Sequence, residues 1–283
     1  MALCAVIAIL LACFSRPLLE LVRFSLGDDL CSYIPLIPFV SLYLIWIKRR
    51  ELGEASPPPR RFAILPLALA LGLLALYGAG SSAGWKCGEA DYLALMTLAF
   101  LLLVIAACLA LVGARALRAN AFALAFLVFA VPLPTFVRDA VGSFLQHASA
   151  DAAQLYFLAA FMPAWREGQS FHLPGMTLEV APECSGIHST LVLLITSFLA
   201  AHLFLRRSWT RAILVVAVLP LALLRNGFRI LVIGELCVHI GPEMIDSYIH
   251  RHGGPIFFVL SLIPFFYLLR WLNRFDSSAK ASP

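Results

Sequence analysis

Apolar runs of about twenty residues recur along the chain, and they constrain its fold more than any other feature. A helix needs about 20 mostly apolar residues to cross a bilayer. The 283 residues are 61% hydrophobic and 13% charged, with a mean hydropathy of +0.91. Soluble domains average about half apolar and about a quarter charged residues. The sequence therefore predicts a polytopic membrane protein and excludes a soluble fold.

Hydropathy predicts an all-α integral membrane protein with about eight transmembrane helices in a single domain over residues 1–283. The predicted spans are about 2–22, 31–47, 62–80, 91–113, 117–132, 187–205, 211–231 and 255–272. Ser15-Arg16-Pro17 interrupts the first span, and the fifth is short and ends at Pro132-Leu133-Pro134. These two spans have the least support, because proline and charge both break a membrane helix.

Basic residues predict the orientation of the spans. With eight spans, one side of the membrane carries Lys48, Arg49, Arg50, Arg60, Arg61, Arg115, Arg118, Arg206, Arg207, Arg211, Arg270, Arg274 and Lys280. This side is expected to be cytoplasmic, with both termini on it. Because the net charge of +5 is concentrated in these loops, no nucleic-acid partner is expected.

An external insert is predicted at about 133–186. Its first part has the periodicity of an amphipathic helix, with an apolar face of Val141, Phe144, Leu145, Ala148, Ala152, Leu155 and Tyr156 and a polar face of Asp139, Gln146, His147, Asp151 and Gln154. This helix is expected either to lie along the outer interface or to pack on the bundle. Its second part, Gly168–Val180, predicts a small β-hairpin turning at Pro174-Gly175.

Cys184 follows this hairpin and comes just before the sixth predicted span. A thiol at the start of a helix has a lowered pKa and is a better nucleophile as the thiolate. Gly186 allows close backbone approach, so that N–H groups beside the thiol would serve as an oxyanion hole. Cys184 is therefore the candidate nucleophile.

Two arginines and an asparagine lie in the seventh predicted span. Arg225, Asn226 and Arg229 are three or four residues apart, so they can share one helix face. Charged residues inside a span are costly and usually face the bundle interior or a water-filled cavity. The candidate role is a fixed cation that stabilises a thiolate or an oxyanion.

Histidines just before the eighth predicted span are candidates for the base. His250 and His252 fall on the same predicted side as Cys184, and imidazole is the usual partner of a thiol nucleophile. His188, one helical turn beyond Cys184, is a further candidate. No C-x-x-C or H-E-x-x-H spacing supports a zinc site, and no cofactor is expected.

These motifs together resemble the exosortase/archaeosortase family of membrane cysteine transpeptidases. The matching stretches are Val180-Ala-Pro-Glu-Cys-Ser-Gly-Ile187, Asn226-Gly-Phe-Arg-Ile230, and His250 with Gly254 four residues on. The resemblance implies that Cys184, Arg229 and His250 are the catalytic residues. The four-residue gap to Gly254 favours His250 over His252 as the catalytic histidine. Arg251 is a further candidate, because archaeal relatives have an arginine as the third catalytic residue.

The resemblance also implies a function in protein sorting. Expected partners are exported proteins ending in a short motif such as Pro-Glu-Pro, a transmembrane helix and a basic tail. Cleavage near the motif on the outer face of the cytoplasmic (inner) membrane would pass through a thioester, and the new C-terminus would go to a lipid or polysaccharide acceptor. Asn226, Arg225, His188 and His252 are expected to support the site or bind substrate.

Two other functions stay open from the residues themselves. One is a transporter or lipid-binding protein with an anion site at Arg225 and Arg229, and the other is a thioester-using lipid or acyl transferase. A disulfide between Cys31 and Cys87 is also an expectation, because both lie near the predicted outer face, where an oxidising periplasm permits it.

Overall fold

The protein is described by a computed structural model covering residues 2–48, 60–84, 87–180, 185–241, 243–244 and 254–278. The chain divides into two compact units, Met1–Val137 and Arg138–Pro283. The expectation of a single domain over residues 1–283 stays a prediction.

The first unit is built from apolar helices. In chain order they are α1 (Ala2–Cys13), α2 (Ser15–Gly27), α3 (Leu36–Lys48), α4 (Ile64–Ser82), α5 (Glu89–Leu111), α6 (Ala114–Ala119) and α7 (Ala121–Phe126), with 3₁₀ turns at Asp29–Cys31, Arg60–Ala63 and Leu127–Ala130. Ala70 of α4 and Ala99 of α5 have no exposed surface. Small residues at such positions let membrane helices pack closely against one another.

One carboxylate of α5 stabilises the start of the long helix α8 (Thr135–Ala159). Asp91 accepts hydrogen bonds from the backbone N–H and from the hydroxyl of Thr135, each at 2.7 Å. The first amides of a helix have no partner within the helix, and a side-chain acceptor there stabilises it.

Cys31 and Cys87 are free thiols, so the disulfide considered from the sequence is not formed in this structure. Cys31 is buried. Burial, with a further contribution from the charge of Asp91, raises the pKa of the Cys87 thiol.

The second unit combines helices with one small sheet. Its remaining helices are α9 (Ile187–Phe204), α10 (Ser208–Val216), α11 (Val218–His239) and α12 (Gly254–Ser278). Its strands are β1 (Trp165–Glu167), β2 (Ser170–Leu173) and β3 (Met176–Glu179), antiparallel in the order β1-β2-β3. The predicted hairpin is confirmed: Leu173 pairs with Met176 across a turn in which Gly175 has a φ of 86°. Strand β1 is an addition that the sequence analysis missed.

Two glycines of α11 let neighbouring elements approach its backbone. A Cβ on Gly227 would lie 2.7 Å from the Cβ of Ala152 and 2.9 Å from backbone atoms of α8. A Cβ on Gly234 would lie 2.9 Å from the ring of Phe157 and 3.2 Å from Leu173 of β2. The apolar core of this unit therefore joins α8, the sheet and α11, with Phe157, Phe171 and Val180 almost fully buried.

Six helical segments are long and apolar enough to cross a membrane. They are Asp29–Lys48, Arg60–Ser82, Glu89–Leu111, Ile187–Phe204, Ser208–His239 and Gly254–Asp276, and they correspond to six of the eight predicted spans. Two further helix pairs, Ala2–Cys13 with Ser15–Gly27 and Ala121–Ala130 with Thr135–Ala159, reach the criterion only as bent pairs. The first pair corresponds to the first predicted span. The second pair joins the fifth predicted span to the helix that was predicted to be external and amphipathic, so the described residues support between six and eight spans.

The predicted seventh span, 211–231, is extended and interrupted. Helix α10 ends at Val216, and α11 continues from Val218 to His239, ten residues beyond Arg229. The arginine motif therefore lies in the middle of α11 rather than near a helix end.

Helix α8 exists as predicted, but its buried face differs from the predicted apolar face. Phe144 and Leu155 are exposed, whereas Gln146, assigned to the polar face, is buried. The amide of Gln146 donates to the carbonyl of Val180, and this hydrogen bond offsets the cost of burying it. The location of α8 along a membrane interface stays a prediction.

Candidate functional site

The sheet and α8 fix the backbone that leads to the candidate nucleophile. Val180, the last described residue before Cys184, is 1% exposed. Its carbonyl accepts from Gln146, and its N–H donates to the carbonyl of Gln169 at 3.0 Å. The chain is therefore packed and hydrogen-bonded up to Val180, four residues before Cys184 in sequence.

After Cys184 and Ser185, Gly186 is the N-cap residue that immediately precedes helix α9. It has a φ of 72°, the left-handed conformation that glycine adopts without steric cost. Its carbonyl accepts from the backbone and hydroxyl of Thr190, at 3.0 and 2.8 Å, and from the hydroxyl of Ser189 at 3.1 Å. Ser185 is 2% exposed, so both residues after Cys184 are held in place.

Gly186 packs directly against the arginine motif of α11. A Cβ at this position would lie 3.1 Å from Cγ and Oδ1 of Asn226 and 3.2 Å from Nη2 of Arg225. Both side chains are buried, at 3% and 8% exposure. A glycine is therefore required sterically at the point where the Cys184 segment meets α11.

Arg229 lies one turn further along α11 and is half-buried. Between the two arginines, Phe228 contacts Tyr156 of α8 and Phe257 of α12, with ring centroids 5.8 and 6.2 Å apart. Edge-to-face pairs of this kind contribute about 0.5–1.5 kcal/mol beyond area burial. The start of α12, which follows the candidate histidines in sequence, is thus in contact with the centre of α11.

The structure brings some of the predicted site residues together. Arg225, Asn226 and Arg229 share α11, and the first two contact Gly186. His188 is half-buried in the first turn of α9. Cys184, His250, Arg251 and His252 lie outside the described residues, so their proposed roles stay predictions. Within the described ranges, no group of three or more His, Cys, Asp or Glu residues is placed to hold a metal ion.

A comparison with protein families identifies the chain. The model of the transmembrane exosortase family matches residues 24–267, which is most of the chain and includes every candidate site residue. The chain belongs to this family. No curated protein and no solved structure matches this chain.

Family membership supports a membrane transpeptidase-type function in protein sorting, acting on proteins that carry sorting signals. It agrees with the apolar helices, which indicate a multi-pass membrane protein. It favours the sorting enzyme over the transporter, although the charged groups on α11 suit either function.

Two features of the site were not apparent from the sequence. Gln146 has no motif around it, and only the folded chain shows that it holds the strand end before Cys184. The burial of Nη1 and Nη2 of Arg225 also depends on packing, because the periodicity of a largely apolar helix does not show which face is covered.

Proposed function

We propose that the protein is a membrane-embedded cysteine transpeptidase. It cleaves a C-terminal sorting signal of exported proteins at the outer face of the cytoplasmic membrane, and it transfers the new C-terminus to an acceptor. The signal consists of a short motif such as Pro-Glu-Pro, an apolar helix and a basic tail. Both termini of the enzyme face the cytoplasm, in agreement with the distribution of its basic residues.

The contact between Gly186 and the pair Arg225–Asn226 is the observation that carries this proposal. It joins the segment of Cys184 to the Asn-x-x-Arg motif, although they are some forty residues apart in sequence. The pairing of Phe228 with Phe257 supports a third contribution from the segment before α12, which contains His250. These contacts support the proposal that the three motifs act together beside the centre of α11.

In the proposed reaction, His250 removes the proton of the Cys184 thiol, and the thiolate attacks the scissile carbonyl carbon. The tetrahedral oxyanion collapses to a thioester as the C–N bond breaks, and the imidazolium gives its proton to the leaving amine. His250 then deprotonates the acceptor nucleophile, which attacks the thioester and releases the thiolate. Splitting one difficult substitution into two easier steps is the general advantage of covalent catalysis.

Arg229 is proposed to stabilise the oxyanion. A single well-placed donor of this kind contributes about 3–4 kcal/mol to lowering the barrier. Asn226 is proposed to orient the backbone around Gly186, since its side-chain oxygen lies against that glycine. His188 and His252 are proposed as supporting residues around the same segment.

The test is to express the protein with a membrane-anchored reporter that carries the three-part signal and to follow its processing. Cys184→Ala and His250→Ala should abolish cleavage, and Arg229→Lys should lower kcat by roughly 100-fold. Cys87→Ala is the matched control that should retain cleavage. Full processing by Cys184→Ala would refute the proposal.

A second experiment separates the enzyme from an anion transporter. A membrane-impermeant thiol reagent at mildly acidic pH should label Cys184, because an activated thiolate persists below the pKa of an ordinary cysteine. The Cys184→Ala variant gives the background from the other cysteines. Equal labelling of the two proteins would contradict an activated thiol.

A further inference from the structure

We propose that Arg225 and the first turn of α9 form a binding site for a carboxylate of the substrate peptide beside the scissile bond. The inference rests on the proposed function and deepens it, because it names the residue that selects an acidic recognition sequence. Arg229 keeps its separate role at the oxyanion.

The first observation is a buried cation without an acceptor. Arg225 is 8% exposed, and among the described residues both of its terminal nitrogens, Nη1 and Nη2, are fully buried and have no hydrogen-bond partner. No carboxylate in the described part of the chain hydrogen-bonds to either of these nitrogens. A buried charge left in this state is strongly unfavourable, so the site is complete only when an anion occupies it.

The second observation is the helix terminus towards which Arg225 points. Nη2 of Arg225 lies 3.2 Å from the position a Cβ would take on Gly186, which is the residue that begins α9. Among the described residues the N-cap, Gly186, provides no side-chain hydrogen bond to this end of the 18-residue helix, and no acidic residue lies in its first turn. The free amides and the dipole of a helix N-terminus attract anions, so the helix and the guanidinium act on the same ligand.

The repulsion between neighbouring cations on α11 adds to this requirement. Arg225 and Arg229 are four residues apart on one helix face, where like charges destabilise each other. A carboxylate at Arg225 offsets this repulsion without occupying the position of Arg229. The guanidinium presents two parallel donors that match the two oxygens of a carboxylate.

The position of Arg225 beside the Cys184 segment indicates which carboxylate it binds. Gly186 is two residues from the proposed nucleophile Cys184. A peptide positioned for attack therefore places the residues next to its scissile bond at this point. An acidic side chain of the recognition sequence is the anion within reach, and the phosphate of a lipid acceptor is an alternative that the test distinguishes.

The test compares two reporters that differ only in one side chain, with Pro-Glu-Pro or Pro-Gln-Pro before the apolar helix and all other nearby acidic residues replaced. The wild-type protein should process the glutamate reporter about 10- to 100-fold more efficiently in kcat/KM, the effect of hydrogen bonds to a charged partner. In Arg225→Met the glutamate reporter should lose that advantage, so that the ratio falls to about 1. Arg225→Lys keeps the positive charge but lacks the two parallel donors of the guanidinium, so it should give an intermediate ratio.

Several outcomes would overturn the inference. One is an undiminished preference for glutamate in Arg225→Met, and another is an equal rate for both reporters in the wild type. A third is an equal loss of rate on both reporters in Arg225→Met, which would indicate that Arg225 binds the phosphate of an acceptor. Glu183→Gln should keep the wild-type ratio; if it reproduces Arg225→Met, the partner is within the chain. Variants are compared at equal membrane levels and equal thermal stability.

Failure of this inference is distinguishable from failure of the proposed function. If Cys184→Ala abolishes cleavage and Arg225→Met leaves the reporter ratio unchanged, only the carboxylate site is wrong. If Cys184→Ala still cleaves, the proposed reaction itself is wrong.

Discussion

The close contact between α11 and α8 predicts a large cost for adding one methyl group at Gly227. The new Cβ would meet the Cβ of Ala152 at 2.7 Å and the backbone of Ala152 and Ala153 at 2.9 Å. Ordinary carbon contacts are about 3.5–4.0 Å, so the two helices must separate by about 1 Å. No side-chain rotation relieves a clash with backbone atoms.

A matched substitution isolates this packing cost. Gly78→Ala in α4 adds the same methyl group to a helix, with nothing within 4 Å of the new atom. The gain of about 0.8–1 kcal/mol in helix propensity is the same for both variants, so it cancels in their difference. What remains is overpacking, worth about 1–3 kcal/mol. Gly234→Ala should fall between the two, because its nearest atoms belong to the side chains of Phe157 and Leu173.

The assay is thermal unfolding of the three purified variants in one detergent at one concentration. Gly227→Ala should unfold roughly 2–12 °C below Gly78→Ala, from the packing cost and about 2–4 °C per kcal/mol for a chain of this size. Reporter processing should fall in parallel, because Gly227 adjoins Asn226 of the site. An unfolding midpoint for Gly227→Ala equal to or above that of Gly78→Ala would refute the α8–α11 packing.

Four further predictions concern individual residues. Asp276→Ala should lower stability by about 0.5–2 kcal/mol, measured by thermal unfolding, because its carboxylate accepts from the first amides before α10 at 2.7 and 3.4 Å; Asp91→Ala should cost a similar amount by removing the acceptor at the start of α8. Gly186→Ala should reduce reporter processing at unchanged membrane level, since an alanine is strained at a φ of 72° and its Cβ meets the α11 side chains. Alkylation of denatured protein without reductant should modify both Cys31 and Cys87, and a mass showing a bond between them would contradict the structure.

The sequence alone predicted the class of fold and most of its elements. Because burying a polar backbone in lipid is so costly, runs of about twenty apolar residues can only be helices. The six helical segments that are each long and apolar enough to cross a membrane follow from this reason. The hairpin was equally predictable, because Pro174-Gly175 specifies a turn and residues with alternating polarity flank it.

Where the pattern was broken, the sequence analysis was less reliable. The first predicted span is a bent pair, with its bend beside Ser15-Arg16-Pro17. The fifth is joined by a bend at Pro132-Leu133-Pro134 to helix α8, which was predicted to be an external helix. The buried face of α8 was predicted only in part. Periodicity measures apolar content along a helix, whereas a buried Gln146 depends on a carbonyl contributed by a strand 34 residues away.

The candidate site divides in the same way between local and tertiary information. Local sequence was sufficient to select Cys184, the Arg225–Arg229 motif and the histidines near residue 250 as candidates, because residue type determines what chemistry a side chain can do; the resemblance to the exosortase family favoured Arg229 and His250 among them. Only the tertiary structure decided that Gly186 meets Arg225 and Asn226, and that the guanidinium of Arg225 is buried without an acceptor in the described residues. Such contacts depend on which helix faces pack together, and that choice is made by the shapes of many side chains at once.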